Sequence, residues 1–174
     1  MESKKIAIIA GSVFMVILLL GVNGFSVKGE EVGIPAITAP DQAFFSEEPL
    51  PTNPVPALVS AKVTITWSEE DIWLVIVDSD EKDRCSTNAP STFFDVCNSR
   101  DVQATAGGIE NNNIDGFSWN VENGEYYAGL GQKNSNGPGT VDVYYDVKLR
   151  ISGLFAVVLI GLSGACFGYA FTRE

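Results

Sequence analysis

Two long apolar stretches at the ends of the chain limit what it can form more than any other feature. Residues 6–27 and 151–171 contain no charged side chain. Each is about as long as the roughly 20 residues that a helix needs to cross a bilayer. We predict an N-terminal transmembrane helix or signal peptide at 1–27, a second transmembrane helix at 151–171 and a cytoplasmic tail at 172–174.

The charge of the segment between these stretches excludes one class of partner. Residues 28–150 hold 20 of the 22 acidic and 8 of the 11 basic residues, which is a net charge of −12. Phosphate binding depends on Lys and Arg, so we expect no nucleic-acid binding. The simplest interpretation of the charge is solubility, with recognition of a basic partner as the alternative.

The absence of histidine removes several kinds of chemistry. The chain contains none, so it lacks the usual general base at neutral pH and the usual zinc and copper ligand. It also lacks a nucleophile elbow, a P-loop and a dinucleotide fingerprint. We predict no catalytic residue and no cofactor, with calcium as the one candidate ion.

The charges flanking the first apolar stretch predict the topology. Lys4 and Lys5 precede it, which favours a cytoplasmic start, an extracytoplasmic middle segment and a cytoplasmic C-terminus. Residues 1–24 also fit a secretory signal that ends in small residues at cleavage-like positions. Both interpretations place the middle segment outside the cell membrane and anchor it through 151–171.

Cysteines and prolines divide the middle segment. Cys85 and Cys97 enclose a polar stretch and are predicted to form a disulfide, as expected outside the cytoplasm. Six of the eight prolines lie in 28–57, so we predict an extended linker there. Its adjacent aromatic residues, Phe44 and Phe45, are predicted to contact the domain or a partner.

Alternating hydrophobicity in 58–150 predicts strands. Residues 63–67 and 141–149 alternate apolar and polar side chains, which is typical of half-buried strands. The run IWLVIV at 72–77 predicts a strand buried on both faces. Asn123 and Gly124 form a hairpin-turn signal.

We therefore predict an all-β fold: a small antiparallel β-sandwich of about six strands, flanked by two transmembrane helices. Its three tryptophans are predicted to lie in the core. The last strand reaches the second span through 151–153 alone, which predicts a domain held close to the membrane.

Acidic residues near the cysteines form the one candidate metal site. Asp78, Asp80, Asp83 and Asp95 could supply oxygen ligands to Ca²⁺, although the run lacks the pattern of an EF-hand. A solvated turn is the simpler interpretation. Acid–base hydrolysis by paired carboxylates ranks last, because no aromatic cleft is indicated.

Two further sets of residues indicate contact surfaces. Tyr144 shares a strand face with Asp142 and Asp146, which predicts an exposed aromatic residue in an interaction surface or near lipid headgroups. The second span carries small residues at the spacing that lets helices approach closely. They are Gly161, Gly164, Ala165 and Gly168, predicted to pack against the first span, another copy or another subunit.

An aromatic strand at 117–119, a Gly-x-Tyr turn at 124–126 and a long last strand resemble parts of several sandwich families. These are the Ig-like, Golgi-dynamics (GOLD) and bacterial pre-peptidase domains. The Ig-type arrangement of cysteine, tryptophan and cysteine is missing. The acidic composition with two anchors also looks like membrane-anchored surface proteins of archaea. The resemblance implies binding, adhesion or accessory roles and transfers no functional residue.

These observations predict a non-catalytic interaction module at the cell membrane, or an accessory subunit of a membrane complex. Its expected partners are the membrane and either another protein or further copies of the chain. The alternative is a calcium-dependent ligand-binding or adhesion domain that uses the acidic residues at 78–83. A carboxylate-dependent hydrolase is the last-ranked interpretation.

Overall fold

The computed structural model describes residues 2–36, 39–88, 96–134 and 137–172. The chain forms two compact units: the first combines Met1–Ser26, Asn53–Ala61 and Lys148–Glu174, and the second combines Val27–Thr52 and Lys62–Val147. Three helices and nine strands lie in the described ranges. In chain order they are α1 (Glu2–Asn23), β1 (Phe25–Pro35), β2 (Gln42–Phe45), β3 (Val59–Trp67), β4 (Ile72–Asp78), α2 (Ser79–Asn88), β5 (Val96–Asn98), β6 (Ala106–Gly107), β7 (Phe117–Val121), β8 (Tyr126–Gln132), β9 (Thr140–Ile151) and α3 (Gly153–Thr172).

In the first unit, α1 and α3 pack against each other. Both helices are long and apolar enough to cross a membrane. Helix α3 buries Leu159, Ser163 and Ala170, whose spacing of four and seven residues places them on one face. The Ser163 hydroxyl donates a hydrogen bond of 3.1 Å to the carbonyl oxygen of Gly11. A Cβ on Gly11 would lie 3.2 Å from the Phe167 ring, so a glycine here lets the helices approach closely.

Ser152 is the one residue between β9 and α3. Its hydroxyl accepts the backbone N–H of Phe155 at 3.1 Å, which is how a serine caps the start of a helix. The same hydroxyl donates to the carbonyl oxygen of Ala57, and the Ser152 N–H donates to that of Leu58 at 2.8 Å. These bonds join the first turn of α3 to the segment before β3.

Gly24 separates α1 from β1. Its φ of 74° lies in the left-handed region, which glycine adopts without a steric cost. A Cβ at this position would collide with the carbonyl oxygen of Leu149. Helix α1 therefore ends at Asn23, and Phe25 and Val27, which we predicted within the first span, belong to β1.

The second unit contains most of two antiparallel sheets. One has the strand order β1-β9-β3-β7, and the other has the order β5-β2-β8-β4-β6. In the five-stranded sheet, β4 pairs with β8 from Ile72 opposite Gln132 to Asp78 opposite Tyr126. Strand β2 pairs with the other edge of β8, with Ala43 opposite Gly131.

Strand β4 is buried on both faces, as its continuous apolar run predicts. Trp73, Val75 and Val77 point to one face, where Val102 and Ile109 pack against them. Helix α2 contacts both β4 and β5. The alternate residues Ile72, Leu74 and Ile76 are buried as well. A strand in this position needs a layer of chain on each side.

Aromatic side chains fill the space between the two sheets. The Trp67 indole N–H donates to the carbonyl oxygen of Ile72 at 2.8 Å, and the Trp67 ring lies 6.3 Å from that of Phe117. The rings of Trp119 and Tyr126 meet edge to face at 5.1 Å. All three tryptophans are buried, so their predicted place in the core is confirmed.

The predicted antiparallel, β-rich fold is confirmed in outline, but the prediction that it is all-β is wrong, and the described residues form nine strands where about six were predicted. Helix α2 occupies part of a stretch that we interpreted as polar loop. The side chain of Asp78 accepts the Glu81 N–H at 2.9 Å and so caps α2. On the buried side of α2 lie Glu81 and Cys85, which do not form an apolar stripe that sequence periodicity would detect.

The segment that we interpreted as a linker also contributes strands. Strand β1 ends at Pro35, and β2 lies between Pro40 and Pro49, so the prolines lie at strand ends or outside them. Beyond β2, the Leu50 N–H still donates to the carbonyl oxygen of Tyr126 at 2.7 Å. Short strands among prolines carry too few alternating positions to be recognised from sequence.

We expect Gly131→Ala to lower the free energy of unfolding by about 1–3 kcal/mol, the cost of overpacking a filled core. A Cβ on Gly131 would collide with the carbonyl oxygen of Gln42 and lie 2.5 Å from the Trp73 ring. Urea titration followed by tryptophan fluorescence measures the change. The matched control is Gly139→Ala, whose Cβ would have no atom within 4 Å. Equal stabilities of the two variants would contradict the prediction.

Candidate functional site

Residues of β1, β9 and β3 line an open groove on the four-stranded sheet. We call it the outer groove, and its volume is about 590 Å³. Strand β9 lies between β1 and β3, and alternate side chains of neighbouring strands share one face. The lining residues are Lys28, Gly29 and Glu30 from β1, Thr64 and Thr66 from β3, and Tyr144, Tyr145 and Asp146 from β9.

The polar groups of the groove make few bonds to one another. Lys28 Nζ lies 3.9 Å from Asp146 Oδ2, which is an ion pair beyond hydrogen-bond length. Asp146 Oδ1 is buried and has no hydrogen-bond partner among the described residues. The hydroxyls of Thr64 and Ser118 are 3.1 Å apart.

Tyr144 has the position that strand alternation predicts. Its side chain is 40% exposed, and it lines the groove together with Asp146. The neighbouring Tyr145 lies across Gly29, where a Cβ would overlap its ring. The interaction role of Tyr144 stays a prediction.

Phe44 and Phe45 lie in β2, within the five-stranded sheet. Phe45 packs against the buried cluster around Trp73 and Val75. A Cβ on Gly129 would lie 2.8 Å from the Phe45 ring. Phe45 therefore stabilises the sheet, and this packing gives it a structural role that the linker interpretation did not contain.

The three described aspartates of the predicted calcium site have different places in the structure. Asp78 caps α2, Asp80 and Asp83 are exposed on that helix, and Asp95 lies outside the described residues. In the described part of the chain, the ligand atoms close enough to hold a metal ion come from Glu81, Cys85 and Cys97. Calcium binding through the aspartates stays a prediction.

The predicted disulfide is confirmed. Cys85 and Cys97 are bonded, with their Cα atoms 5.1 Å apart. The bond joins α2 to β5, and both sulfur atoms are buried with their side chains. Because each sulfur is bonded to the other, neither is a thiolate ligand, and the cluster with Glu81 does not form a metal site in this state.

Glu81 is a buried hydrogen-bond acceptor that we did not predict. Its side chain is 6% exposed and accepts two bonds from the Arg84 guanidinium, at 2.7 and 2.8 Å. It also accepts the Gln103 N–H at 2.7 Å. The hydrogen bonds from Arg84 hold the pKa of the Glu81 carboxyl below its ordinary value. An acid three residues before an arginine was the only available sequence signal.

Arg84 connects this carboxylate with the disulfide and with the following segment. Its Nη2 atom lies 3.9 Å from Cys97 Sγ and donates to the carbonyl oxygen of Asp101 at 2.6 Å. Glu81, Arg84 and the disulfide therefore hold α2, β5 and the segment before β6 together. The arrangement has a structural purpose, because every polar group in it faces another part of the chain.

The small residues predicted for helix packing lie on the side of α3 away from α1. A Cβ on Gly161, Gly164 or Gly168 would have no atom within 4 Å, and Ala165 is exposed. At 100° per residue these four positions lie opposite the face that contains Ser163. They do not contact α1, and packing against another copy or subunit stays a prediction.

No family model and no curated protein matches the chain. It is similar to a structure of tomato aspermy virus, with 14% identity, a TM-score of 0.36 and coverage of 74% of this chain and 79% of that chain. It is also similar to the SPBc2 prophage-derived protein YomS, with 15% identity, a TM-score of 0.27 and coverage of 71% and 95%. A third similar structure is Salmonella Typhimurium PliG, a periplasmic inhibitor of g-type lysozyme, with 12% identity, a TM-score of 0.22 and coverage of 75% and 91%. Scores this low carry no argument, so the resemblance to Ig-like, GOLD and pre-peptidase domains stays a prediction.

We expect the disulfide to contribute about 2–4 kcal/mol to stability, because it limits the unfolded chain between α2 and β5. The double variant Cys85→Ser, Cys97→Ser should lose that amount in a urea titration of the full chain in nanodiscs. Cys166→Ser removes the free thiol of α3 and is the matched control. A double variant as stable as the control would contradict the prediction.

We expect Glu81 to make stability depend on pH. A carboxyl group whose pKa is lower in the folded than in the unfolded chain stabilises the folded chain when the pH is above the unfolded pKa. This stabilisation is lost as the pH falls through the folded pKa. The ordinary value is 4.5, so the wild-type free energy of unfolding should fall as the pH is lowered past it. Glu81→Gln should be less stable by about 1–3 kcal/mol at pH 7 and show a smaller fall. Glu122→Gln, at an exposed position, should keep the wild-type slope; equal slopes in all three proteins would rule the effect out.

Proposed function

We propose that this chain is a membrane-anchored, non-catalytic accessory subunit. Helices α1 and α3 cross the membrane as a pair, and the β-rich domain lies outside the cytoplasm. The partner is another membrane helix, from a different subunit or a second copy. The open small-residue face of α3 is the observation that carries the proposal.

The outer surface of the helix pair supports membrane insertion. Large apolar side chains such as Ile9, Leu20, Leu154 and Val157 are exposed on it. In water, exposed apolar surface of this extent is unfavourable, whereas in a bilayer it contacts lipid. The helices are not the buried core of a soluble domain, because most of their residues are exposed.

The packing of α1 supports its retention as an anchor. Its less exposed residues follow the helical spacing of a packed face; they are Ala7, Ala10, Gly11, Phe14, Leu18 and Gly21. The hydrogen bond from Ser163 to Gly11 would be lost with α1, and a polar hydroxyl without a partner in lipid is costly. Because α1 packs against α3 and accepts its hydrogen bond, we expect α1 to remain in the mature chain.

Charge and cysteine chemistry support the placement of the domain. Lys4 and Lys5 lie at the start of α1, which favours a cytoplasmic N-terminus. A helical pair then returns the C-terminus to the same side. The Cys85–Cys97 disulfide is of the kind that persists in oxidising surroundings outside the cytoplasm.

The two faces of α3 support a lateral partner. The face with Leu159, Ser163 and Ala170 is covered by α1, while Gly161, Gly164 and Gly168 have open space above them. In lipid, helices associate where small residues allow close backbone contact, because the hydrophobic effect does not favour one apolar face over another. Between residues 161 and 168 this face carries only small side chains, so this part of α3 is suited to a second helix.

We expect Gly164→Leu to abolish this association, because its side chain would separate the two helices by more than their packing tolerates. The full chain is extracted in mild detergent, crosslinked and analysed by native mass spectrometry. Ile160→Phe is the matched control, since it adds bulk at an exposed position on the flank of α3. The wild type and the control should appear in complexes, and Gly164→Leu should appear alone. A wild type that is monomeric and free of partners would overturn the proposed function.

A further inference from the structure

The outer groove is suited to a ligand that the helix contacts do not involve. The outward face of the five-stranded sheet is covered, because Val102 and Ile109 pack on it. On the four-stranded sheet, Thr64, Ser118 and Tyr144 remain exposed. The groove volume of about 590 Å³ lies in the range of small-molecule binding sites, roughly 300–1,000 Å³.

We propose that the outer groove binds a neutral saccharide chain. This inference is independent of the proposed membrane partner, since it concerns another surface and another chemistry. It rests on the charge balance of the groove, on its hydrogen-bonding groups and on its aromatic wall.

The charge balance argues against a charged ligand. The charged lining residues are Lys28, Glu30 and Asp146, which together carry a charge of −1 within a segment whose net charge is −12. A site for a basic peptide would concentrate this surplus of acid, and Lys28 would repel such a ligand. An anion would meet two carboxylates, Glu30 and Asp146, against the one ammonium of Lys28. The groove is therefore nearly neutral where the rest of the segment is acidic.

The hydrogen-bonding groups match a ligand with many hydroxyls. A carboxylate accepts up to about four hydrogen bonds, but Asp146 contacts Lys28 at 3.9 Å only through Oδ2. Its Oδ1 is shielded from solvent, so a ligand in the groove would reach the carboxylate at Oδ2. Thr64 and Thr66 add hydroxyls that both donate and accept. Sugar hydroxyls also do both, so they can bond to Asp146 Oδ2 and to the threonine hydroxyls.

Tyr144 supplies the apolar part of the site. Its ring is 40% exposed at the edge of the groove, next to Asp146 on the same strand face. The C–H face of a sugar ring packs on an aromatic ring while its hydroxyls reach polar neighbours, and tyrosine combines an apolar body with a polar end. An open groove also leaves both ends of a chain free to extend.

The test uses the full chain in nanodiscs, without glycoside detergents that would compete for the groove. Hexasaccharides of glucose with α- or β-linkages, of mannose and of N-acetylglucosamine are titrated separately by calorimetry. We expect saturable binding of at least one of them. Tyr144→Ala and Asp146→Asn should each weaken it by about tenfold, the effect of losing one stacking or charge-assisted contact. Tyr144→Phe should keep most of the affinity, because it keeps the ring.

Two controls keep the result specific. Ile114→Ala removes an exposed apolar side chain from a loop outside the groove and should bind as the wild type does. If Tyr144→Ala does not fold, Thr66→Val tests the same wall of the groove. The inference is overturned if no hexasaccharide binds, or if Tyr144→Ala and Asp146→Asn bind as the wild type does. Saturable binding of hexalysine that Asp146→Asn abolishes would also overturn it, in favour of a basic ligand.

Discussion

The second unit depends on the burial of β4 on both faces. Burying a large apolar side chain contributes about 1.5–3 kcal/mol, and six consecutive residues of β4 are buried. This gain needs a second layer on each side of the five-stranded sheet. The four-stranded sheet supplies one layer through Trp67 and Phe117, and the segment from α2 to the residues just after β6 supplies the other through Val102 and Ile109.

The second of these layers explains the polar network around Glu81. Helix α2 is short and mostly polar, so apolar burial alone would hold it weakly in place. The disulfide joins it to β5, and Glu81 receives hydrogen bonds from Arg84 and Gln103. A buried carboxylate is costly unless it is paired. Two of its three charge-assisted bonds come from Arg84 within α2. The third, from the Gln103 N–H, joins the helix to the following segment, and it is strongest when the carboxyl group is ionised.

The two surfaces that remain open have opposite character. The small-residue face of α3 is apolar and suited to a helix in lipid, whereas the outer groove is polar and almost neutral. Both are consequences of packing elsewhere. Helix α1 covers the opposite side of α3, and the inward side chains of β3, β7 and β9 fill the core, which leaves Thr64, Tyr144 and Asp146 facing outwards.

The sequence by itself determined the features that depend on local pattern. Charge-free length indicated two membrane helices, period-two alternation indicated β3 and β9, and a continuous apolar run indicated the doubly buried β4. Two cysteines in a polar stretch indicated the disulfide. Tertiary structure alone decided the rest. Strands β1 and β2 are strands because β9 and β8 pair with them, and α2 is held by a carboxylate and a cysteine that form no apolar stripe. Contacts between residues far apart in the chain decide which side of α3 faces α1. Such contacts also bring Lys28, Thr66 and Asp146 into one groove, and no local pattern encodes them.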